Sequence, residues 1–211
     1  MDGMNNWIAA SGRLEGGLTM SHEVMDEVFY TGTFAVKRTS GALDRLPVTV
    51  PGRLAGLLGE AGDMPLRLEG QIRSYNRVEK GASRLLVTLF VRDVSTSPDD
   101  DTQNSVIIDG ALCRPPVYRS TPFGREICDM MLAVSRSFGK NDYIPCIAWG
   151  RNARSAAGLA VGDRLSITGR LQSREYQKLL DDGSCLTRSV CEVSAFTLKK
   201  AEDRHMYVPA S

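Results

Sequence analysis

Apolar and polar residues alternate with a period of two through most of this chain. Side chains on a strand point alternately to opposite faces, so such stretches predict strands with one buried and one open face. The clearest runs over 164–178. There Leu165, Ile167, Gly169 and Leu171 fall on one face, and Arg170, Gln172, Arg174 and Tyr176 on the other. Shorter runs predict strands over 105–113, 126–136, 143–149 and 189–198. In the first half the same pattern predicts strands over 6–14, 28–38, 46–50, 66–77 and 84–94. The small-residue segment NARSAAGLA predicts a helix over 152–159, with a counterpart near 53–58. GGLTMSHEV, RPPVYRSTPFG and SFGKN read as loops or turns. The first contains His-Glu without a second histidine at zinc-protease spacing, so His22 is expected to be a loop residue.

The two halves repeat each other at a spacing of 98. Asn6 matches Asn104, Gly12 matches Gly110, Leu14 matches Leu112, Arg38 matches Arg136 and Pro47 matches Pro145. After one inserted residue the spacing becomes 99, pairing Gly70 with Gly169 and Ser74 with Ser173. Two copies of one unit are the economical account. The expected division is 5–94 and 104–200, joined by an acidic linker at 95–103 and followed by a short tail at 201–211. Five strands with a helix between the third and fourth is the order of an OB-fold barrel. The expected fold class is therefore all-β: two tandem OB-fold, five-stranded Greek-key barrels. Gly110 and Gly169 suit the sharp coiling that barrel strands need.

Composition sharpens this picture. The 211 residues are 42% hydrophobic, enough for a packed core. No apolar run approaches the roughly 20 residues that span a bilayer, and the first residues lack a secretory pattern. A cytoplasmic, nucleoid-associated protein is the expectation. The five cysteines form no CxxC pair and the two histidines are far apart, so neither a metal nor any other cofactor is expected. Buried free thiols are the plain reading, although Cys185 and Cys191 are spaced to face each other across a loop. Net charge is only +1, but residues 104–200 hold ten Arg and four Lys against nine acids. Arg outnumbers Lys 20 to 6 overall, and a guanidinium both forks to phosphate and stacks on a base. No phosphate-binding Gly-rich loop and no nucleophile elbow is present, so an enzyme is not indicated. Asp99, Asp100 and Asp101 read as a solvated charge run rather than a metal cluster.

The second copy resembles the bacterial-type single-stranded DNA-binding (SSB) family. The resemblance is carried by NSVIIDGAL, the turn TPFG, LAVSRSFG, WGRNA and GDRLSITGRLQSREY, in order along residues 104–200. The tandem arrangement is similar to family members with two OB domains per chain. It implies sequence-independent binding of single-stranded DNA in replication, recombination or repair. It also implies a homodimer presenting four barrels. In the family, outer-face aromatics stack on bases; the matching positions are Phe138, Tyr143, Trp149 and Tyr176. Tyr143 and Trp149 share a face by parity, with Pro145 and Ile147. Arg151, Arg154, Arg170 and Arg174 are candidates for phosphate contact. Tyr118 and Arg119 are candidates for a loop covering the groove.

The first copy departs from the pattern. Arg45, Pro51 and Arg77 stand where Tyr143, Trp149 and Tyr176 stand in the second. Its outer row of Arg67, Arg73, Tyr75 and Arg77 keeps cations and loses most of the stacking surface. A weaker DNA-binding barrel and a subunit-contact barrel are both open readings. The family's acidic, apolar-tipped tail, which recruits replication and repair proteins, has no match in KKAEDRHMYVPAS. The alternatives to single-stranded DNA are an OB-based interaction module of a replication or restart assembly, and single-stranded RNA binding.

Overall fold

A computed structural model describes residues 5–79, 82–98, 101–179 and 185–201. The strands β1 (Asn6–Val24), β2 (Glu27–Lys37), β3 (Leu43–Pro51), β4 (Leu66–Glu79) and β5 (Ala82–Thr96) form the first barrel. Helix α1 (Gly52–Glu60) lies between β3 and β4. The second barrel contains β6 (Asn104–Leu112), β7 (Val117–Ser120), β8 (Glu126–Ser135), β9 (Asn141–Trp149), α2 (Arg151–Ala157), β10 (Arg164–Leu179) and β11 (Cys185–Lys200). All strands join in one sheet of order β2-β3-β5-β4-β1-β6-β10-β11-β9-β8-β7, and β1–β2 and β6–β8 pairings close the two barrels.

The repeat predicted from sequence is repeated in the pairings. Gly12↔Leu66 recurs as Gly110↔Leu165, and Ile8↔Gly70 as Val106↔Gly169. The parallel pair Val48↔Leu89 recurs as Cys146↔Val193. Alternation supplies both cores. Ile8, Phe34, Leu46, Leu68, Ile72 and Leu89 are fully buried in the first, and Ile108, Leu132, Ile144, Ile167, Leu171 and Val193 in the second. Each helix closes a barrel with small or aliphatic side chains: Leu54 and Leu58 from α1, Ala153 and Ala156 from α2. Gly70 and Gly169 sit at bulges where the strand presses on its neighbour. A Cβ there would lie 2.0 Å from the Phe90 carbonyl oxygen and 2.2 Å from that of Ser194.

Several expectations are corrected. GGLTMSHEV is not a loop: β1 runs through it and pairs with β2 down to Val24↔Glu27. Met25 and Asp26 turn the hairpin with positive φ, a tight connection for a long twisted ribbon. His22 is therefore a strand residue, stacked on Phe29 with ring centres 5.1 Å apart. RPPVYRSTPFG contains a strand as well. Val117↔Asp129 in β7–β8 repeats Thr19↔Thr31 in β1–β2. Pro115 and Pro116 cannot donate to a ladder, so the strand that is continuous in β1 is interrupted between β6 and β7. Tyr118 and Arg119 thus belong to a paired edge strand, not to a covering loop.

Gln172 is buried rather than part of an open face, and its amide donates to Glu192 at 3.0 Å. Cys185 and Cys191 lie on one strand, β11, the first exposed and the second buried, so they do not face each other. Of the acidic run, Asp99 and Asp100 lie outside the described residues. Asp101 is no freely solvated charge. It accepts from the hydroxyls of Ser11 at 2.7 Å and Ser97 at 3.0 Å, and from the Gln103 N–H at 2.9 Å.

The barrels meet about a pseudo-two-fold. In the antiparallel β1–β6 pair, Asn6 faces Ile108 and Ala10 faces Asn104, with Ile8↔Val106 at the centre. The same reciprocity governs two buried carboxylates. Asp142 of the second barrel accepts from the Ser74 N–H of the first at 2.6 Å, and Asp44 of the first accepts from the Ser173 N–H of the second at 2.7 Å. Each is forked by an arginine of its own barrel, Arg136 and Arg38. Each of those arginines also donates to the carbonyl of the same partner serine.

Candidate nucleic-acid interface

Strand β9 of the second barrel alternates as its sequence required except at Ile147, which shares the parity of Tyr143 and Trp149 yet is buried. Asp142, Ile144, Cys146 and Ala148 are buried. Tyr143 is 45% exposed and Trp149 38% exposed on the opposite face. That exposure decides between a core tryptophan and a surface one. Trp149 donates its indole N–H to the Ser194 hydroxyl at 3.3 Å, which holds the ring by its edge. Gly150 follows with φ 54°, turning the chain at once into α2. Tyr143 is fixed through its backbone, whose N–H donates to the Ser74 hydroxyl at 2.7 Å. Tyr176 lies further along β10, half-buried, with the Arg174 guanidinium carbon 5.9 Å from its ring centre. Phe138 has its backbone in the single-turn 3-10 helix Ser137–Gly139, between β8 and β9. Its side chain lies outside the described residues.

Two of the four arginines predicted for phosphate contact, Arg154 and Arg174, are engaged with carboxylates, as is Arg119 of the edge strand. Arg154 pairs with Glu126 at 2.6 Å, Arg119 with Asp129 at 2.9 Å and Arg174 with Glu192 at 3.4 Å. Tyr118 also donates to Glu126, and that bond raises the phenol's pKa above its ordinary value. Arg170 lies along Gln172, 3.4 Å from its side-chain oxygen. Arg151 begins α2 and is exposed. The outer face of the second barrel is therefore aromatic and close to charge-balanced.

The first barrel is built differently. Arg45 is paired with Glu15, and Pro51 is buried at the end of β3. Tyr75 is exposed, while Arg67 is paired with Glu69. The first barrel carries a ring at a position where the second has none. Thr49↔Phe90 occupies the place of Ile147↔Ser194, so a ring stands where the second barrel has a small hydroxyl. Phe90 contacts Phe29 with centroids 5.9 Å apart, Phe29 stacks on His22, and the Arg73 guanidinium lies 5.7 Å from the Phe90 ring centre. Burial and the nearby charge of Arg136 push the Arg73 guanidinium below its ordinary pKa, against the pull of Asp142. Sequence reasoning missed Phe90 and Arg92, the arginine two residues further along β5. The repeat did not carry the signal: at its spacing of 98 or 99 Phe90 falls opposite Arg188 or Ser189, and only strand register sets Phe90 against Ser194 and Arg92 against Phe196.

The thiols do not belong to this face. Burial pushes Cys191 up to about 12 and raises Cys146 further, which keeps both protonated. Among the described residues, no three His, Cys, Asp or Glu side chains gather into a metal-sized group. No described helix is long and apolar enough to cross a membrane.

A pair of OB barrels with exposed rings and guanidinium groups on the outer sheet face defines an oligonucleotide-binding class of fold. The model of the "Single-strand binding protein family" matches residues 103–199. A single-stranded DNA-binding protein of Clostridium tetani is 38% identical over 106 residues, 47% of this chain and 70% of that one. Single-stranded DNA-binding protein 1 of Staphylococcus aureus is 33% identical over 100 residues, 44% of this chain and 60% of that one. The chain belongs to the single-strand binding protein family. Among solved structures, the wild-type single-stranded DNA binding protein from Thermus aquaticus superposes with a TM-score of 0.73. The superposition covers 93% of both chains at 22% identity, a likeness of fold that spans both barrels.

Proposed function

We propose that this protein binds single-stranded DNA without regard to sequence, in replication, recombination or repair. Bases stack on Tyr143, Trp149 and Tyr176, with Phe138 beside them, and phosphates are neutralised by nearby arginines. The observation that carries the reading is Trp149. Its ring is exposed on the outer face, held by its edge through Ser194, in the barrel that matches the family model. Residues 5–94 and 104–200 act as the two binding units, joined by 95–103. Two such chains would present four barrels, and a cytoplasmic, nucleoid-associated protein fits this role.

The test is a fluorescence titration with oligo(dT), oligo(rU) and duplex DNA at two salt concentrations. Trp7, the other tryptophan, lies in β1 with its indole N–H 3.4 Å from Glu69. A Trp149→Phe variant therefore separates the two signals. Stacking contributes about 1–3 kcal/mol per base, so Trp149→Ala with Tyr176→Ala should weaken oligo(dT) binding about 100-fold or more. Unchanged affinity would remove these rings from the site. Equal quenching by oligo(rU) would make the protein a general single-strand binder.

A further inference from the structure

A groove of about 400 Å³ lies on the outer face of the second barrel. Its floor is apolar, with Met131, Pro145 and Val190 half-buried along it. Two carboxylates, Asp129 and Glu192, stand in its lining. Strand register puts both between the exposed rings of β9. Asp129 on β8 faces Ile147, and the parallel pair Ile147↔Ser194 sets Glu192 of β11 level with Pro145. Both levels fall between Tyr143 and Trp149. Since β8 and β11 are the two neighbours of β9, the carboxylates flank the track from one ring to the other.

The barrel itself does not require these charges. In the first copy the same two places hold Thr31 and Thr88. The corresponding groove there is lined by Arg73, Arg92, Arg136 and Lys140, with no carboxylate among its described lining residues. The second barrel's carboxylates are also held in place. Glu192 is buried and accepts from the Gln172 amide at 3.0 Å. Arg174 lies 3.4 Å from Glu192, and Arg119 lies 2.9 Å from Asp129. A phosphate pressed onto this floor meets two fixed anions whose cations are already shared. A neutral base meets apolar surface and rings. We infer that Asp129 and Glu192 determine specificity: they hold phosphates off the sheet, turn the bases toward it, and reject duplex DNA and other polyanions. Like charge set against the wrong partner discriminates without adding contacts to the right one. The inference rests on the functional reading above.

The test sets three probes against the full chain at low salt: an oligo(dT) of roughly 30 nucleotides, long enough for two barrels, a duplex of that length, and heparin. Glu192→Gln keeps the shape beside Gln172 and removes the charge. Asp129→Asn does the same at a partly exposed place, and keeps the test open if the buried substitution lowers the melting temperature. In either variant, affinity for duplex and heparin should rise about tenfold, and affinity for oligo(dT) by less than about threefold. Each arginine freed to reach a phosphate of the duplex should steepen the slope of log affinity against log salt by about 0.9, which a merely structural role would not do. Unchanged duplex and heparin affinity in both variants would overturn the inference and leave the stacking reading intact. An equal rise for oligo(dT) and duplex would also overturn it, since the carboxylates would then restrain all binding alike. Absence of oligo(dT) binding by the unaltered protein would overturn both readings.

Discussion

Replacing Asp142 with Asn removes one charge at a point where two barrels and three elements meet. The carboxylate is fully buried. It accepts from Arg136 Nε at 2.6 Å, from a second Arg136 nitrogen, from the Ser74 N–H at 2.6 Å and from Arg73 at 3.4 Å. Neutralising it leaves two guanidinium groups side by side with no counter-charge and weakens the tie between β9 and β4. Breaking a buried pair by removing one partner costs about 3–5 kcal/mol. For a chain of this size each kcal/mol lowers Tm by about 2–4 °C, so Asp142→Asn should melt about 6–20 °C below the unaltered protein. Asp44 has the corresponding environment by pseudo-symmetry, with Arg38 and the Ser173 N–H but Gln172 at the place of Arg73, and Asp44→Asn should cost an amount at the lower end of the same range. Differential scanning calorimetry reads both. A Tm within 2 °C of the unaltered protein for either variant would refute the view that these carboxylates lock the barrels together.

Other perturbations follow from single contacts. Gly169→Ala drives a methyl group against the Ser194 carbonyl oxygen, a contact of 2.2 Å. Overpacking of that kind costs about 1–3 kcal/mol, visible as a lower urea midpoint, and an unchanged midpoint would mean that the bulge relaxes freely. Cys185 is exposed whereas Cys128, Cys146 and Cys191 are buried. Ellman's reagent at mild alkaline pH should therefore label Cys185 first and reach those three only on unfolding. The hydrogen bond from Ser11, with those from Gln103 and Ser97, depresses the pKa of Asp101 below its unfolded value. Its stabilising effect is present above that unfolded value and is lost as pH falls through the folded one. Asp101→Asn should flatten the fall of stability on acidification, by a small amount because the side chain is only partly shielded from solvent, as measured by urea unfolding between pH 5 and pH 2.5.

Much of this molecule is written in local pattern. Alternation along most of β9 and β10 fixes which side chains face the core, because a one-residue slip would expose Ile144 and bury Asp142's neighbours instead. The repeated glycines and the helix after the third strand fix the barrel order, and parity sets the face that Tyr143 and Trp149 share, although Ile147 on that face is buried. The length of β1 did not follow from pattern. Its second half lacks a buried face, and only pairing with β2 makes it a strand. The burial of Gln172 was equally hidden, since it keeps the outer-face parity and is covered there through its pairing with Glu192 on β11 and the side chain of Arg170.

The sequence by itself determined two copies of one barrel and the aromatic face of the second, since both depend on the order of residues along single strands. Only the tertiary structure decided how the copies join and where the cations gather. The β1–β6 pairing, the reciprocal Asp44 and Asp142 contacts and the groove of Arg73, Arg92, Arg136 and Lys140 all unite residues far apart in sequence. Such juxtapositions arise from the closing of barrels and their docking across a pseudo-two-fold, which no local period encodes.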